Sequence, residues 1–306
     1  VITCLGLAPA LDITYGVSSA QLGGLHRPEW QLSLPGGKAL NVARALSALG
    51  AASHSLVPVG GPTGTDLLNR LAAEGTGIGF EAIDTGVDTR RCITIVDEST
   101  GELTEIYEHA PPLPDAAWGE LVERLRAVPD GWLAVSGSVP SHRVDSLAAE
   151  LALLSDRGVS VALDVTREVL EAVLPLCGAD LVKVNRLEAT DAVGDAPVPE
   201  LAERLRERGA RTAVVTDGAD GSVGADQHGH WRVRPSRGGI YTVGAGDSFL
   251  AGLLLRLTEG APLDRALRTA AAIAAANTET PGAAVFDTTR IPPLEESVSV
   301  SRATGW

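Results

Sequence analysis

Short runs of β-branched and other apolar residues alternate along most of the chain with longer runs whose apolar positions recur at helical spacing. VITCLGLA reads as an opening strand, and KALNVARALSALG (38–50) as an amphipathic helix stopped by Gly50. Strand-like SHSLVPVG, GWLAVSG, VSVALDV, DLVKVN and RTAVVTDG then alternate with helices in PTGTDLLNRLAAEG, in SHRVDSLAAELALLSDRG and near 198–208, and another helix follows Asp247. Such alternation predicts a three-layer α/β/α domain, a mostly parallel sheet covered by helices on both faces, over the single span 1–306. Two stretches break the pattern. DITYGV with Trp30 to Leu34, and TRRCITIVDESTGELTEIYE with a turn near STGE, read as antiparallel strands. They predict a small inserted sheet over 12–34 and 88–109, a candidate lid. The tail after Ile291 is expected to be mobile.

Composition narrows the partners. The 306 residues carry 25 basic and 39 acidic side chains, a net charge of -14, which repels nucleic acid and anionic lipid. Small anions are not excluded, because a few cations and backbone N–H groups can dominate inside a pocket. The 3 cysteines show no CxxC pair and read as buried thiols of a reducing, cytoplasmic setting. No segment reaches the roughly 20 apolar residues of a membrane span.

The chemistry concentrates in a few places. In YTVGAGDSFLAGLLL (241–255) a β-like YTV leads through Gly244, Ala245 and Gly246 into a helix, whose first N–H groups and dipole favour an anion. Asp247 beside such a turn can accept a hydroxyl proton, or can simply serve as a first-turn acid. In DLVKVNRLEA, Asn185 and Glu188 suit either a helix-capping arrangement or the neighbourhood of Mg²⁺ reached through water. In PGGKALNVARAL, Gly36 and Gly37 allow a ligand to approach the main chain, Lys38 supplies charge and Asn41 an amide; an ordinary loop-to-helix junction reads equally well. Asp12 alone reads more simply as a solvated acid.

Taken together and in order, GGK-x-x-NVAR, SGSVP, KVNRLE, VVTDGADG and TVGAGDSFLAG resemble the ribokinase-like PfkB family of carbohydrate kinases. The resemblance covers about Ile2 to Gly282 and is nearest to the phosphosugar branch that includes 1-phosphofructokinase, tagatose-6-phosphate kinase and the minor 6-phosphofructokinase. It implies a ribokinase-like fold and MgATP-dependent phosphorylation of a ketohexose phosphate, fructose 1-phosphate or fructose 6-phosphate foremost and tagatose 6-phosphate behind them. By resemblance Asp247 is the base, and Gly244, Ala245 and Gly246 form the anion hole. Asn185 and Glu188 serve Mg²⁺ and the phosphates together with Lys183. Thr216, Gly218 and Gly221 contact the nucleotide, with adenine towards Asn277 to Gly282. Asp12, Gly36, Gly37, Lys38 and Asn41 face the sugar, while Arg27, Arg90 and Ser138 face its phosphate. Pairing of two lids into a homodimer is a further implication.

The departures border the acceptor. Ala39 replaces a glycine, Val184 a proline, and Arg167 the glycine of DSSGEAL; Leu25 stands at a lysine position, and Ser141, His142 and Arg143 follow SGSVP. Arg143 and Arg167 read more simply as surface charges than as replacements for that lysine. Two further readings stay open: a kinase for an uncharged sugar, aminosugar or nucleoside, and a catalytically silent sensor. An oxidoreductase lacks its GxGxxG after the first strand.

Overall fold

ITCL and SVALDV are buried almost throughout, as strands of a parallel sheet clad on both faces must be. The computed structural model describes residues 1–74, 77–235 and 238–303. In chain order its first strands are β1 (Ile2–Leu5), β2 (Ala10–Val17), β3 (Trp30–Gly36), β4 (Ser53–Val59), β5 (Ile78–Asp84), β6 (Arg90–Asp97) and β7 (Leu103–Tyr107). There follow β8 (Trp132–Gly137), β9 (Ser160–Val165), β10 (Ala179–Asn185), β11 (Ala210–Thr216), β12 (Ser222–Asp226), β13 (Gly229–Arg234) and β14 (Ser299–Arg302). The helices are α1 (Lys38–Ala48), α2 (Gly61–Ala73), α3 (Asp115–Arg126), α4 (Val144–Asp156) and α5 (Arg167–Cys177). They continue with α6 (Arg186–Val193), α7 (Val198–Glu207), α8 (Ala245–Thr258), α9 (Leu263–Asn277) and α10 (Ile291–Ser297).

The large sheet runs β14-β13-β12-β11-β10-β9-β8-β1-β4-β5 and is parallel from β11 to β5. Two apolar cores lie on its faces. One gathers side chains of α3 to α7, the other those of α1, α2, α8, α9 and α10. Because β1 pairs with β4 on one side and β8 on the other, connections diverge there, and the crevice beyond the strands' carboxyl ends is where such sheets bind ligands. Alternation sets what faces it. Ala162 on β9 and Leu181 on β10 belong to the core under α1 and α8, so Asp164 and Lys183, two residues on, share that face.

The small sheet runs β3-β2-β6-β7. Its two outer pairs are antiparallel, as the pattern suggested, but the central β2–β6 pair is parallel. The sheet starts earlier than expected, at Ala10, and β3 continues to Gly36, so Asp12 lies within a strand next to the glycine pair. The tail from Ile291 to Ala303 is ordered, against expectation: α10 buries Leu294, Val298 is buried beyond it, and β14 pairs with β13. Arg268 donates to Val298 O and, at 3.4 Å, to Glu295 O, securing the turn between them.

Candidate active site

YTV is no strand; the chain from 241 to 244 is irregular and enters α8 through Gly244, whose φ of 76° is left-handed. A Cβ there would lie 2.4 Å from the Ala283 methyl, so both conformation and space require glycine. The Ala245 N–H is spent within the turn, donating to Thr242 O at 3.2 Å, and so is not the free donor expected of it. The N–H groups of Gly246 and Asp247 have no partner among the described residues, as the first turn of a helix leaves them. An anion-sized set of donors therefore sits beside the Asp247 carboxyl.

Asp247 is 7% exposed, but polar groups surround its carboxylate: Oδ2 accepts from Asn41 Nδ2 at 2.9 Å. Burial and then the Asp164 charge push its pKa up to about 6, against the pull of Lys38, Lys183 and the Asn41 hydrogen bond. Asn41, itself buried, leaves Oδ1 without a donor. A buried acceptor next to the candidate base is what a ligand hydroxyl would satisfy.

Behind this carboxylate lies a charged cluster. Asp164 is fully buried and accepts from Lys38 Nζ at 2.9 Å and Lys183 Nζ at 2.7 Å. Burial alone would raise its pKa; the two ammonium groups outweigh it and hold the value at about 2. Lys38 also reaches Glu188 Oε1 at 3.0 Å. Burial disfavours the Lys38 charge, yet the carboxylates of Asp164, Glu188 and Asp247 drive its pKa upwards.

On the β2–β3 side, the GGK turn is built around Asp12. A Cβ on Gly36 would lie 2.0 Å from Asp12 Oδ2, and Gly37, at φ 92°, lies close against Ala8 and Pro9. Burial and the nearby Asp247 charge raise the Asp12 pKa to about 7, so the two acids face one region. Arg90 donates to Ala8 O at 3.1 Å and Glu108 O at 3.2 Å. Arg27 lies in the exposed segment between β2 and β3 and makes no hydrogen bond or ion pair with another described residue, so the structure does not bring it to this cluster. Ser138 is exposed just past β8.

Asn185 and Glu188 form a reciprocal capping box on α6: each side chain accepts from the other's backbone N–H at 2.9 Å. Thr216 is the register partner of Asn185 across β10 and β11, and Gly218 and Gly221, both at positive φ, shape the turn beyond. Asn277 departs from its expected place at the nucleotide edge. Its side chain is fully buried, accepts from Ser248 Oγ (3.0 Å) and Ala284 N (2.8 Å), and donates to Val243 O (2.9 Å). It is a strut under the 243–247 turn. Gly282 lies against Leu32 and Leu34 of β3, where a Cβ would lie 2.7 Å from each, and so joins the turn region to the small sheet.

Sequence reasoning passed over two contributors, Asp164 and Arg44. Asp164 is the hub of the charged cluster, and an acid ending the apolar run VSVALDV was the signal. Arg44 is buried, pairs with Glu74 at 2.8 Å and donates to Ala283 O at 2.7 Å, tying α1 to the loop over Gly244. Cross-strand register places Cys92 beside Asp12 and Tyr107 beside Cys92. Arg143 proves structural: it stacks on Trp118 at 5.4 Å and donates to Leu113 O at 3.0 Å. Arg167 pairs with Glu171 and Asp191, both at 3.8 Å, on the surface. Neither completes the acceptor side.

Comparison with known proteins bears on what this arrangement does. The chain is 30% identical over 284 residues, 90% of its own length and 91% of the relative's, to ATP-dependent 6-phosphofructokinase isozyme 2 of Escherichia coli (strain K12). It is 29% identical over 271 residues, 86% of this chain and 87% of the relative, to 1-phosphofructokinase of Bacillus subtilis (strain 168). Its fold matches phosphofructokinase-2 from Escherichia coli, crystallised with substrates and products, at a TM-score of 0.90, covering 97% of this chain and 98% of that one at 28% identity. Residues 6–290 match the pfkB family carbohydrate kinases. With the family matched over most of its length and a relative 30% identical across 90% of it, the chain belongs to the pfkB family of carbohydrate kinases.

Proposed function

We propose that the chain transfers the γ-phosphoryl group of ATP to a hydroxyl of a ketohexose phosphate, fructose 6-phosphate or fructose 1-phosphate. The observation that carries this reading is the Asp247 carboxylate held by Asn41 beside the unpartnered N–H groups of Gly246 and Asp247. Asp247 takes the proton from the attacking hydroxyl, and the turn's N–H groups receive the charge on the transferred phosphoryl oxygens. Asp12, Asn41 and the Gly36-Gly37 turn orient the sugar. Lys183, Thr216, Gly218 and Gly221 serve the nucleotide. The choice of a phosphorylated fructose rests on the two relatives, whose names both specify it.

Mg²⁺, when bound, neutralises phosphate charge. Among the described residues no group of three His, Cys, Asp or Glu side chains forms a cage. Glu188, one oxygen on Lys38 and the other on the Asn185 N–H, suits an ion held mainly by phosphates and water with one carboxylate near it. The small sheet, abutting Gly282 and carrying Asp12, acts as a lid that keeps water from competing with the sugar. Ile106, 56% exposed on its edge strand, offers apolar surface for pairing two lids. Unpaired Cys4, Cys92 and Cys177 fit a reducing cytoplasm.

One observation favours an uncharged acceptor instead: the Arg90 guanidinium, expected at the sugar phosphate, is spent on backbone carbonyls. The deciding experiment measures sugar-dependent ADP release with fructose 6-phosphate, fructose 1-phosphate, tagatose 6-phosphate and the free sugars. Turnover confined to free sugars overturns the phosphosugar reading.

A further inference from the structure

Beneath the sugar-side turn two hydroxyls stand unanswered. Ser55 and Ser136 are 1% and 3% exposed, and neither Oγ has a hydrogen-bond partner among the described residues. Buried polar atoms are rarely left so, because burial without a bond costs the group its hydration. Sheet register brings the two serines together on either side of β1. Ser55 of β4 stands beside Cys4, and Ser136 of β8 lies two residues beyond Ala134, the other neighbour of Cys4. Cys4, Val57 and Ala134 belong to the core under α1, so strand alternation turns both serines toward that helix. Both line a cavity of about 10 Å³ with Cys4, Gly6, Gly37 and Ala39, about the room that one water molecule needs.

We propose that this cavity is a hydration site, in which one buried water bridges Ser55 Oγ and Ser136 Oγ under the first turn of α1 and props the Gly36-Gly37-Lys38 turn from behind. Gly6 lets the helix start come down onto the strand: a Cβ there would lie 2.7 Å from the Ala39 methyl and 3.7 Å from Ala39 N. The Ala39 N–H, in the first helical turn, has no partner among the described residues and is a third polar group at the cavity. Three such neighbours fall within the two to four polar partners that a buried water takes. The lining selects a neutral guest. Burial pushes the Cys4 thiol up to about 12, so it carries no charge, and the Lys38 ammonium is engaged by Asp164 and Glu188 at 2.9 and 3.0 Å. A Cβ on Gly137 would lie 3.7 Å from Lys38 Cβ, so the end of β8 and the start of α1 share this support. That the prop serves the sugar rests on the phosphoryl-transfer reading; the water itself does not.

The test is a double-mutant cycle of Ser55→Ala and Ser136→Ala read by urea unfolding, with a high-resolution crystal structure of the unaltered protein. The crystal should show a water within roughly 2.5–3.0 Å of both Oγ atoms. Each single change should lower the folding equilibrium constant by roughly fivefold, the worth of one hydrogen bond. The pair should cost less than the product of the two, since the second hydroxyl lost finds the bridge already broken. A dry cavity behaves in the opposite way: deleting an unsatisfied hydroxyl is then neutral or stabilising, and the two changes add. In the sugar-dependent assay, Ser136→Ala should raise the sugar KM by roughly threefold and leave the KM for ATP unchanged, as a slackened turn on the sugar side alone would. No water between the two oxygens, no loss of stability, or strictly additive losses overturn the hydration site. A sugar KM that stays put while stability falls overturns its role as a prop. Should no fructose phosphate be turned over, the substrate reading alone fails, and the KM is read on whichever sugar is phosphorylated; the cycle and the crystal need no substrate.

Discussion

At Asp247 the demands of catalysis and of folding conflict. An ordinary aspartate is already ionised at neutral pH, but this one is pushed up to about 6, so as a base it loses its function when protonated below that value. With Asp12 near 7 beside it, kcat/KM is expected to fall on the acid side between about pH 7 and 6, and a profile flat down to pH 5 would contradict the assignment. The stability linkage has the same origin and a definite sign. A folded value raised above 3.8 means that the folded state binds the proton more tightly, so this contribution is fully present below about pH 4 and is lost as pH rises through about 6. Asp247→Asn should therefore lower turnover by roughly two to four orders of magnitude while ATP still binds. At pH 8 it should also stabilise the fold by up to about 3 kcal/mol, from roughly 2 units at 1.36 kcal/mol each. Melting curves at pH 8 and pH 4 check this, and the stabilisation should vanish at the lower pH.

The turn at 243–247 works because the elements around it leave no alternative. Gly244 is held at a left-handed φ by Asn277 below, which binds Val243 O, and by Ala283 in front, where Arg44 anchors the carbonyl. Gly244→Ala meets both the left-handed penalty of about 1–2 kcal/mol and a contact of 2.4 Å with Ala283. It should lower thermal stability and reduce kcat by about tenfold or more, since a turn shifted by 1 Å misdirects its N–H groups; an unchanged kcat would show that the turn does not touch the phosphate. Sequence made this element legible because a glycine pair before an apolar helix admits few geometries. The inward turn of Asn277 was not legible. Helical spacing in AAAIAAAN marks a helix but cannot say that the amide at its end is walled in by Ser248, Val243 and Ala284 rather than open to a nucleotide. Asp164 escaped notice for a related reason. A single acid in an apolar strand acquires meaning only when strands distant in sequence bring two lysines to it.

Across the whole molecule, local periodicity revealed the parallel half of the sheet and concealed the antiparallel edge. β12, β13 and β14 are short and polar on one side, and β14 joins β13 only through a sequence-distant pairing, so they carry weak signals of their own. The parallel β2–β6 pair was hidden likewise, because each hairpin advertises only its own antiparallel partner. The ordered tail has a consequence that can be measured. Leu294 and Val298 are buried in the same core as α9, Glu295 accepts from Thr269, and β14 covers the β13 edge. Ending the chain after Arg290 removes two buried side chains worth roughly 1.5–3 kcal/mol each and bares a strand edge. The truncated protein should melt several degrees lower, by about 2–4 °C per kcal/mol in large domains, and aggregate more readily on heating. Asp247, Asn41, Asp164 and both lysines lie outside the deleted stretch, so kcat per folded molecule at 25 °C should hold within about twofold, well inside one decade of rate per 1.36 kcal/mol. An unchanged melting temperature would mean that the tail adds nothing to the fold, and a lost kcat in folded protein would place it in the catalytic machinery.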